Sequence, residues 1–159
     1  MSRPRRLSTI SYVGPARYFL TFSTRDRIEA FRDVEVVTLT LDQFRRTAGD
    51  EKFALLAYCL MPDHAHLLVE GLDHDSDLTR FAKMAKQRSG SVYRRRRGSR
   101  LWQEGYYERV LRDEDDAFQI ARYVLNNPVR AELVVNPADY PYLGSDQWTL
   151  EELLESVAR

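Results

Sequence analysis

Short apolar runs alternate along this chain with longer segments whose apolar positions recur every three or four residues. The runs are rich in aromatic and β-branched residues or alternate between apolar and polar, as strands do. Four strands are predicted: Arg17 to Thr24, Phe53 to Met61, His64 to Gly71 and Glu104 to Arg112. The second and third are separated only by Pro62-Asp63, which predicts a tight turn.

Two helices are predicted between these strands. The first runs from Val37 to Thr47 and is expected to end at Gly49, because glycine readily adopts the backbone conformation that ends a helix. The second is capped by Asp77 and continues to Arg97, with Gly98 placed to end it.

A third helix follows the last predicted strand. Asp113 opens a run of four acidic residues, which suits the N-terminus of a helix, and Pro128 is expected to end that helix at Asn127. The order strand, helix, strand, strand, helix, strand is the ferredoxin-like split βαβ pattern. We therefore predict an α+β protein with a βαββαβ antiparallel sheet and helices packed on it.

The C-terminal part of the chain is predicted to extend this core. Residues 136–145 are rich in turn-forming residues, and Thr149 opens a short helix with Leu150, Leu153 and Leu154 facing inward. We expect residues 1–159 to form a single domain, with a core over about 17–134 and a C-terminal wrap and short helix over 135–159.

Composition narrows the class of protein. With 43% hydrophobic residues among 159, the chain can build a core. Its longest apolar run, Phe53 to Met61, is too short to span a membrane, and no apolar stretch follows the N-terminal arginines before Gly14. We expect a protein that stays inside the cell, without membrane contact. Cys59, the single cysteine, is expected to be a buried hydrophobe.

The charge of the chain sums to zero but is unevenly distributed. From Leu78 to Gln103 there are basic residues and no acidic ones. These candidate nucleic-acid-binding residues are Arg80, Lys83, Lys86, Arg88, Arg94, Arg95, Arg96, Arg97 and Arg100. Such density favours phosphate binding over a merely solvated helix face, which usually interleaves acids with its bases.

Two histidines in the third predicted strand are candidates for metal binding. His64 and His66 are separated by one apolar residue, and alternate residues of a strand project from the same face, so both imidazoles can reach one divalent cation. The alternative is a pair of polar residues on a solvated strand face. The third helix holds a second feature, because Tyr123 and Asn127 are spaced four apart and share one side of it. A tyrosine that only packs its ring is the alternative there.

Three ordered segments together resemble the single-tyrosine HUH transposases of bacterial insertion sequences, particularly the REP-associated tyrosine transposase branch. They are MPDHAHLLV, LWQEGYYERVLRDEDD and ARYVLNNPVRAELV, and the resemblance covers about Tyr18 to Val134. It implies metal-dependent cleavage of single-stranded hairpin DNA, strand transfer through a 5′-phosphotyrosine intermediate, and DNA transposition. It also implies a cytoplasmic, nucleoid-associated bacterial protein, and it leaves a homodimer open.

The resemblance also assigns roles to residues. It implies that His64, His66 and Asn127 are the metal ligands, that Tyr123 is the nucleophile, and that the cation is Mg2+ or Mn2+. Asp63 departs from the family, because many members have asparagine there. Two other functions remain open: a domesticated binder of single-stranded DNA or RNA hairpins that does not cleave, and a metal-dependent phosphohydrolase.

Overall fold

A computed structural model describes residues 12–112 and 117–158 of the chain. Within those ranges the regular elements are strands β1 to β5 and helices α1 to α4. In chain order they are β1 (Arg17–Ser23), α1 (Val34–Glu51), β2 (Phe53–Met61), β3 (His64–Gly71), α2 (Leu78–Arg97), β4 (Tyr107–Leu111), α3 (Ala117–Arg130), β5 (Leu143–Gly144) and α4 (Leu150–Ala158).

The strands form one antiparallel sheet in the order β4-β1-β3-β2-β5. The order of the first four strands is the ferredoxin-like arrangement predicted from the sequence. The sequence pattern did not reveal β5, a two-residue strand within the C-terminal wrap that pairs with β2. The predicted α+β class is confirmed.

Both faces of the sheet are covered by helices. α1 and α2 pack on one face around Phe22, Phe44 and Leu67. α3 and the C-terminal segment pack on the other face around Phe19, Leu68 and other apolar residues. β2 is buried throughout, as its continuous apolar run predicts. Among the described residues, no helix combines the length and the apolar character that a membrane crossing requires.

Helix α1 is longer than its sequence pattern predicted. It begins after Asp33, whose side chain accepts a hydrogen bond from the backbone N–H of Glu35, and so acts as an N-cap. Gly49 lies inside the helix, so the prediction that it ends the helix is wrong. The chain leaves the helix at Lys52, which adopts the left-handed conformation (φ 60°).

Helix α3 continues past the point where Pro128 was expected to end it. The helix extends to Arg130 with Pro128 inside it, so the predicted end at Asn127 is wrong. A proline so close to the C-terminus removes only a donor of the last turns, and the backbone N–H of Ala131 still donates to the carbonyl of Asn127 at 3.0 Å. The predicted cap at Asp113 lies outside the described residues.

Two further boundaries differ from the sequence prediction. β4 begins at Tyr107 rather than Glu104, because the chain bends at Gly105 (φ 79°). Lys86 Nζ donates a hydrogen bond to the carbonyl oxygen of Gly105. In α4, Leu153 is buried, as predicted, but Leu150 is exposed. The predicted inward orientation of Leu150 is therefore wrong. Leu150 sits in the first turn of α4, one turn ahead of the buried position.

Candidate active site

His64 and His66 lie at the start of β3 and project from the face of the sheet that α3 covers. Their ring centroids are 4.7 Å apart. Strand alternation places both imidazoles on the side of Leu68, which belongs to the α3 core. The structure therefore brings the two histidines together, as the spacing predicted.

The orientation of His64 is fixed by the residue before it. Asp63 Oδ1 accepts a hydrogen bond from His64 Nδ1 at 2.7 Å, and Asp63 Oδ2 accepts one from Arg27 Nε at 3.0 Å. Burial by itself would raise the pKa of Asp63, but the contacts with His64 and Arg27 outweigh it and lower that pKa. Because an ionised carboxylate only accepts, the proton of a neutral His64 lies on Nδ1 and Nε2 keeps its lone pair.

His66 is buried and held from two sides. Its Nδ1 lies 2.9 Å from Thr21 Oγ1, and its ring stacks on Phe19 with centroids 5.3 Å apart. Burial, together with the electrostatic influence of the neighbouring His64 and Arg130 side chains, lowers the pKa of His66 to about 3. The imidazole is therefore neutral at pH 7, which is the form that binds a metal ion.

Tyr123 reaches this histidine from α3. Its ring centroid lies 6.0 Å from that of His66 and 5.8 Å from that of Phe19. Yet 47% of the residue is exposed. The ring thus packs against His66 and Phe19 while about half of the residue stays open to solvent.

Asn127 lies one turn further along α3 and is engaged by an arginine. Its Oδ1 accepts a hydrogen bond from Arg130 Nη2 at 3.1 Å, while its buried Nδ2 has no hydrogen-bond partner among the described residues. An amide left half-satisfied in this way departs from the usual pairing of buried polar groups. The sequence pattern did not single out Arg130, although its spacing of seven from Tyr123 and three from Asn127 puts all three on one helical face.

The basic segment of α2 is partly neutralised by α1. Four of its arginines form ion pairs with acids of α1 or its cap, which lie far away in the sequence. The pairs are Arg80 with Glu51 (2.9 Å), Arg88 with Asp50 (2.8 Å), Arg96 with Glu35 (3.0 Å) and Arg97 with Asp33. The segment itself contains no acidic residues, but acids of α1 or its cap pair with four of its arginines. Only part of its positive charge is therefore available to phosphates.

Several of the remaining basic residues of the segment line a groove. The groove has a volume of about 990 Å³ and lies between α2 and residues 100–106. Its cationic side chains are Arg25, Lys83, Lys86, Arg94 and Arg100, against the acids Asp26 and Glu104. Lys83, Arg94 and Arg100 have no ion pair within residues 12–112 and 117–158. Arg95 is exposed on the same helix but is not part of the groove.

Two adjacent tyrosines at the edge of the sheet face the groove and the histidine site. Tyr106 lines the groove and packs against Phe22, with ring centroids 5.8 Å apart. Its neighbour Tyr107 packs instead on Phe19, which contacts both His66 and Tyr123. One dipeptide thus connects the basic groove with the other face.

Other candidate residues lie apart from this site. Asp73, His74 and Asp75 have ligand atoms within 4.8 Å of one another, but they form a largely exposed acidic loop. Cys59 is buried, as predicted, and burial raises the pKa of its thiol to about 12. A thiol with such a pKa is not a nucleophile at neutral pH.

Comparisons with known proteins identify the family and the fold. The family model described as Transposase IS200 like matches residues 13–127. A Haemophilus influenzae protein, provisionally named a REP-associated tyrosine transposase, is 26% identical over 136 residues, or 79% of this chain and 77% of the relative.

Two solved structures share the fold. One is a REP-associated tyrosine transposase bound to a REP hairpin, with a TM-score of 0.75 at 22% identity over 90% of this chain and 82% of that one. The other, a provisionally assigned transposase from Deinococcus radiodurans R1, has a TM-score of 0.54 at 26% identity over 79% of this chain and 97% of that one. The region matched by the family model includes His64, His66, Tyr123 and Asn127.

Proposed function

The chain belongs to the IS200-like transposase family, and from that premise we propose that it cleaves single-stranded DNA beside a hairpin and transfers the strand through Tyr123. As a tyrosine transposase it is an enzyme that acts on DNA. The observation that supports the finer proposal is a series of ring contacts within one chain, from His64 to His66 and from His66 to Tyr123. A non-cleaving binder has no need of this complete set of residues, and a hydrolase, in which Tyr123 would only position the substrate, would form no covalent adduct.

His64, His66 and Asn127 would hold the divalent cation. The donor set fits, because His64 keeps a lone pair on Nε2, His66 is neutral, and Asn127 offers an amide oxygen. Such a set admits Mg2+ or Mn2+ and leaves positions for phosphate oxygens, although ligand softness alone would also allow Co2+ or Zn2+. The choice of Mg2+ or Mn2+ follows from the resemblance to the family. When bound, the cation supplies Lewis-acid polarisation of the scissile phosphate.

Tyr123 would be the nucleophile. Its phenolic oxygen forms a bond to phosphorus while the bond from phosphorus to the 3′ oxygen breaks, which leaves a 5′-phosphotyrosine and a 3′-hydroxyl. The phenolic proton passes to solvent, which reaches the half-exposed ring, and solvent returns a proton to the 3′ oxygen. The phosphodiester energy is kept in the covalent link, so strand transfer needs no nucleotide cofactor.

The same chain would supply both nucleophile and metal ligands. Because the Tyr123 ring lies 6.0 Å from His66 within one chain, a monomer holds the complete residue set. We therefore propose that Tyr123 acts in cis. A homodimer would then serve to hold two DNA ends rather than to complete the site.

The basic groove would bind the DNA backbone near the hairpin. Lys83, Arg94 and Arg100 line it without ion pairs among the described residues, and Tyr106 at its margin offers a ring on which a base can stack. The hairpin bound by the structurally similar REP-associated transposase supports DNA of this shape as the partner. From the groove, a single strand can pass Tyr107 at the sheet edge and reach Tyr123.

The test is a search for the covalent product. The full chain is incubated with end-labelled single-stranded hairpin DNA from its own genomic neighbourhood, with Mn2+ or with EDTA, and denaturing gels are followed by peptide mapping. We expect a protein–DNA adduct at Tyr123 with Mn2+ only. Cleavage without any adduct would favour the phosphohydrolase, and binding without cleavage would favour the domesticated binder.

A further inference from the structure

The side chain of Arg130 turns back along α3 and contacts both proposed active-site residues of that helix. Its guanidinium carbon lies 4.1 Å from the centroid of the Tyr123 ring. Its Nη2 donates to the backbone carbonyl of Tyr123 at 2.9 Å and to Asn127 Oδ1 at 3.1 Å. The Arg130 guanidinium thus contacts the Tyr123 ring, the Tyr123 backbone and the Asn127 amide.

The contact crosses a proline of α3. Pro128 lies between Asn127 and Arg130 and has no N–H to donate, so this part of α3 lacks one of its backbone hydrogen bonds. A helix weakened in this way bends or frays more easily. Arg130 donates to the Tyr123 carbonyl on the other side of the proline. The carbonyl that loses a donor to the proline is that of Val124, so the Arg130 bond adds a restraint to the helix and does not replace the lost bond.

The Tyr123 ring would otherwise be poorly restrained. Phe19 and His66 contact it, but 47% of the residue is exposed, and the Arg130 guanidinium covers the ring as a cation–π partner. The same guanidinium fixes which way the amide oxygen of Asn127 points. Both consequences concern the placement of groups, with no need for Arg130 to contact DNA.

We propose that Arg130 is a positioning residue for the cleavage reaction: it holds the Tyr123 ring against His66 and presents Asn127 to the cation held by His64 and His66. This inference rests on the proposed function. It differs from a plain helix-capping role, which would affect the stability of the protein and leave the reaction geometry unchanged.

The test uses the full chain with Arg130→Met, Arg130→Lys and the control Arg46→Met, which removes an exposed arginine from α1 on the opposite face of the sheet. For Arg130→Met we expect single-turnover adduct formation at saturating Mn2+ and DNA to slow by about 10- to 100-fold, as small misplacements of reacting groups do. Calorimetry should show Mn2+ affinity weakened by up to about tenfold, because the loss of the amide orientation outweighs the removal of a neighbouring positive charge. Arg130→Lys, which keeps the charge and a donor, should lie between, and Arg46→Met should match wild type.

Several outcomes would overturn the proposal. Adduct formation and Mn2+ affinity both at wild-type levels in Arg130→Met would show that Arg130 positions nothing. Tighter Mn2+ binding would show that it obstructs Asn127. If Arg130→Met does not fold, Arg130→Gln replaces it, because glutamine removes the charge and the cation–π contact; a glutamine variant that folds, yet reacts and binds Mn2+ like wild type, would reduce the residue to a helix cap. If wild type itself forms no adduct, the proposed function fails, and the Mn2+ measurement still decides whether Arg130 positions Asn127.

Discussion

The ring of Tyr123 meets the ring of His66 edge to face, 73° between their planes and 6.0 Å between their centroids, with Phe19 in contact with both. These rings come from α3, β3 and β1, so their meeting depends on the packing of α3 on the sheet. The central prediction about the chemistry follows from this contact.

Replacing Tyr123 with phenylalanine should abolish the covalent adduct and leave the fold intact. The change removes the hydroxyl and keeps the ring that packs on Phe19 and His66. Denaturing gels with labelled hairpin DNA measure the adduct, and calorimetry and gel shifts measure Mn2+ and DNA binding, which should be retained. Tyr107→Phe is the matched control and should still form the adduct. An adduct that persists in Tyr123→Phe would assign the nucleophile to another residue.

The three histidines of the chain should differ in their contribution to metal binding. His64→Ala or His66→Ala should abolish Mn2+ binding by calorimetry and cleavage with it, while DNA affinity changes little because basic residues supply most of it. His74→Ala, in the exposed loop with Asp73 and Asp75, should bind Mn2+ at the active site as wild type does. The assignment is wrong if only the His74 variant loses the metal.

The carboxylate of Asp63 should strengthen the metal site. Asp63→Asn keeps the size of the side chain but removes the charge that orients His64 and pairs with Arg27. We expect Mn2+ affinity to fall by about tenfold, the lower end of the usual cost of losing a carboxylate partner of a metal-binding histidine. Asp42→Asn, on the exposed side of α1, controls for the loss of one negative charge. An unchanged affinity in Asp63→Asn would show that the carboxylate serves only the Pro62-Asp63 turn.

Two sets of three basic residues should differ in their effect on DNA binding. Replacing Lys83, Arg94 and Arg100 with glutamine removes groove cations without ion pairs among the described residues, and should reduce the slope of log K against log salt by about 2. Replacing Arg80, Arg88 and Arg96, whose charges pair with α1 acids, removes the same charge and should reduce the slope less. Equal effects would mean that total charge, rather than the groove, determines the affinity.

Burial of His66 should make the metal-free protein sensitive to acid. Its pKa is about 3 in the folded chain, below the ordinary value of about 6.5 for an unfolded one. Between those values the unfolded chain binds more protons, so stability falls as the pH falls, by up to about 1.4 kcal/mol per pH unit from this residue. Urea unfolding in EDTA between pH 7 and pH 4 measures this, with His66→Gln as the comparison. The proposal of a strongly shifted His66 fails if both proteins lose stability in parallel.

Local signals in the sequence predicted much of this fold. β2, β3 and α2 have the predicted boundaries because a tight turn, an aspartate cap and a terminal glycine lie next to them in the chain. The start and end of α1 depend on Asp33 and on the left-handed Lys52, which the apolar pattern does not register. β5 has only two residues and exists because β2 offers it hydrogen bonds, so it has no pattern of its own.

The candidate site, like the fold, was predicted only in part. The spacing of His64 and His66 and that of Tyr123 and Asn127 were visible as pairs. Their meeting across two elements was expected only through the resemblance to a family. The ion pairs between α2 and α1 join residues that are up to 64 positions apart, and no count of charge along the chain reveals them.

The short β5 has a consequence for how the protein behaves at high concentration. Without it, β2 would present an apolar nine-residue edge, and such edges recruit further strands and aggregate. Residues of the C-terminal wrap close that edge, with Leu60 N–H donating to the carbonyl of Tyr142 and the β5 pairing beside it. A truncation that removes the wrap should therefore form inclusion bodies on expression, even though it keeps the proposed catalytic residues. The wrap thus keeps the protein soluble by covering the edge of β2.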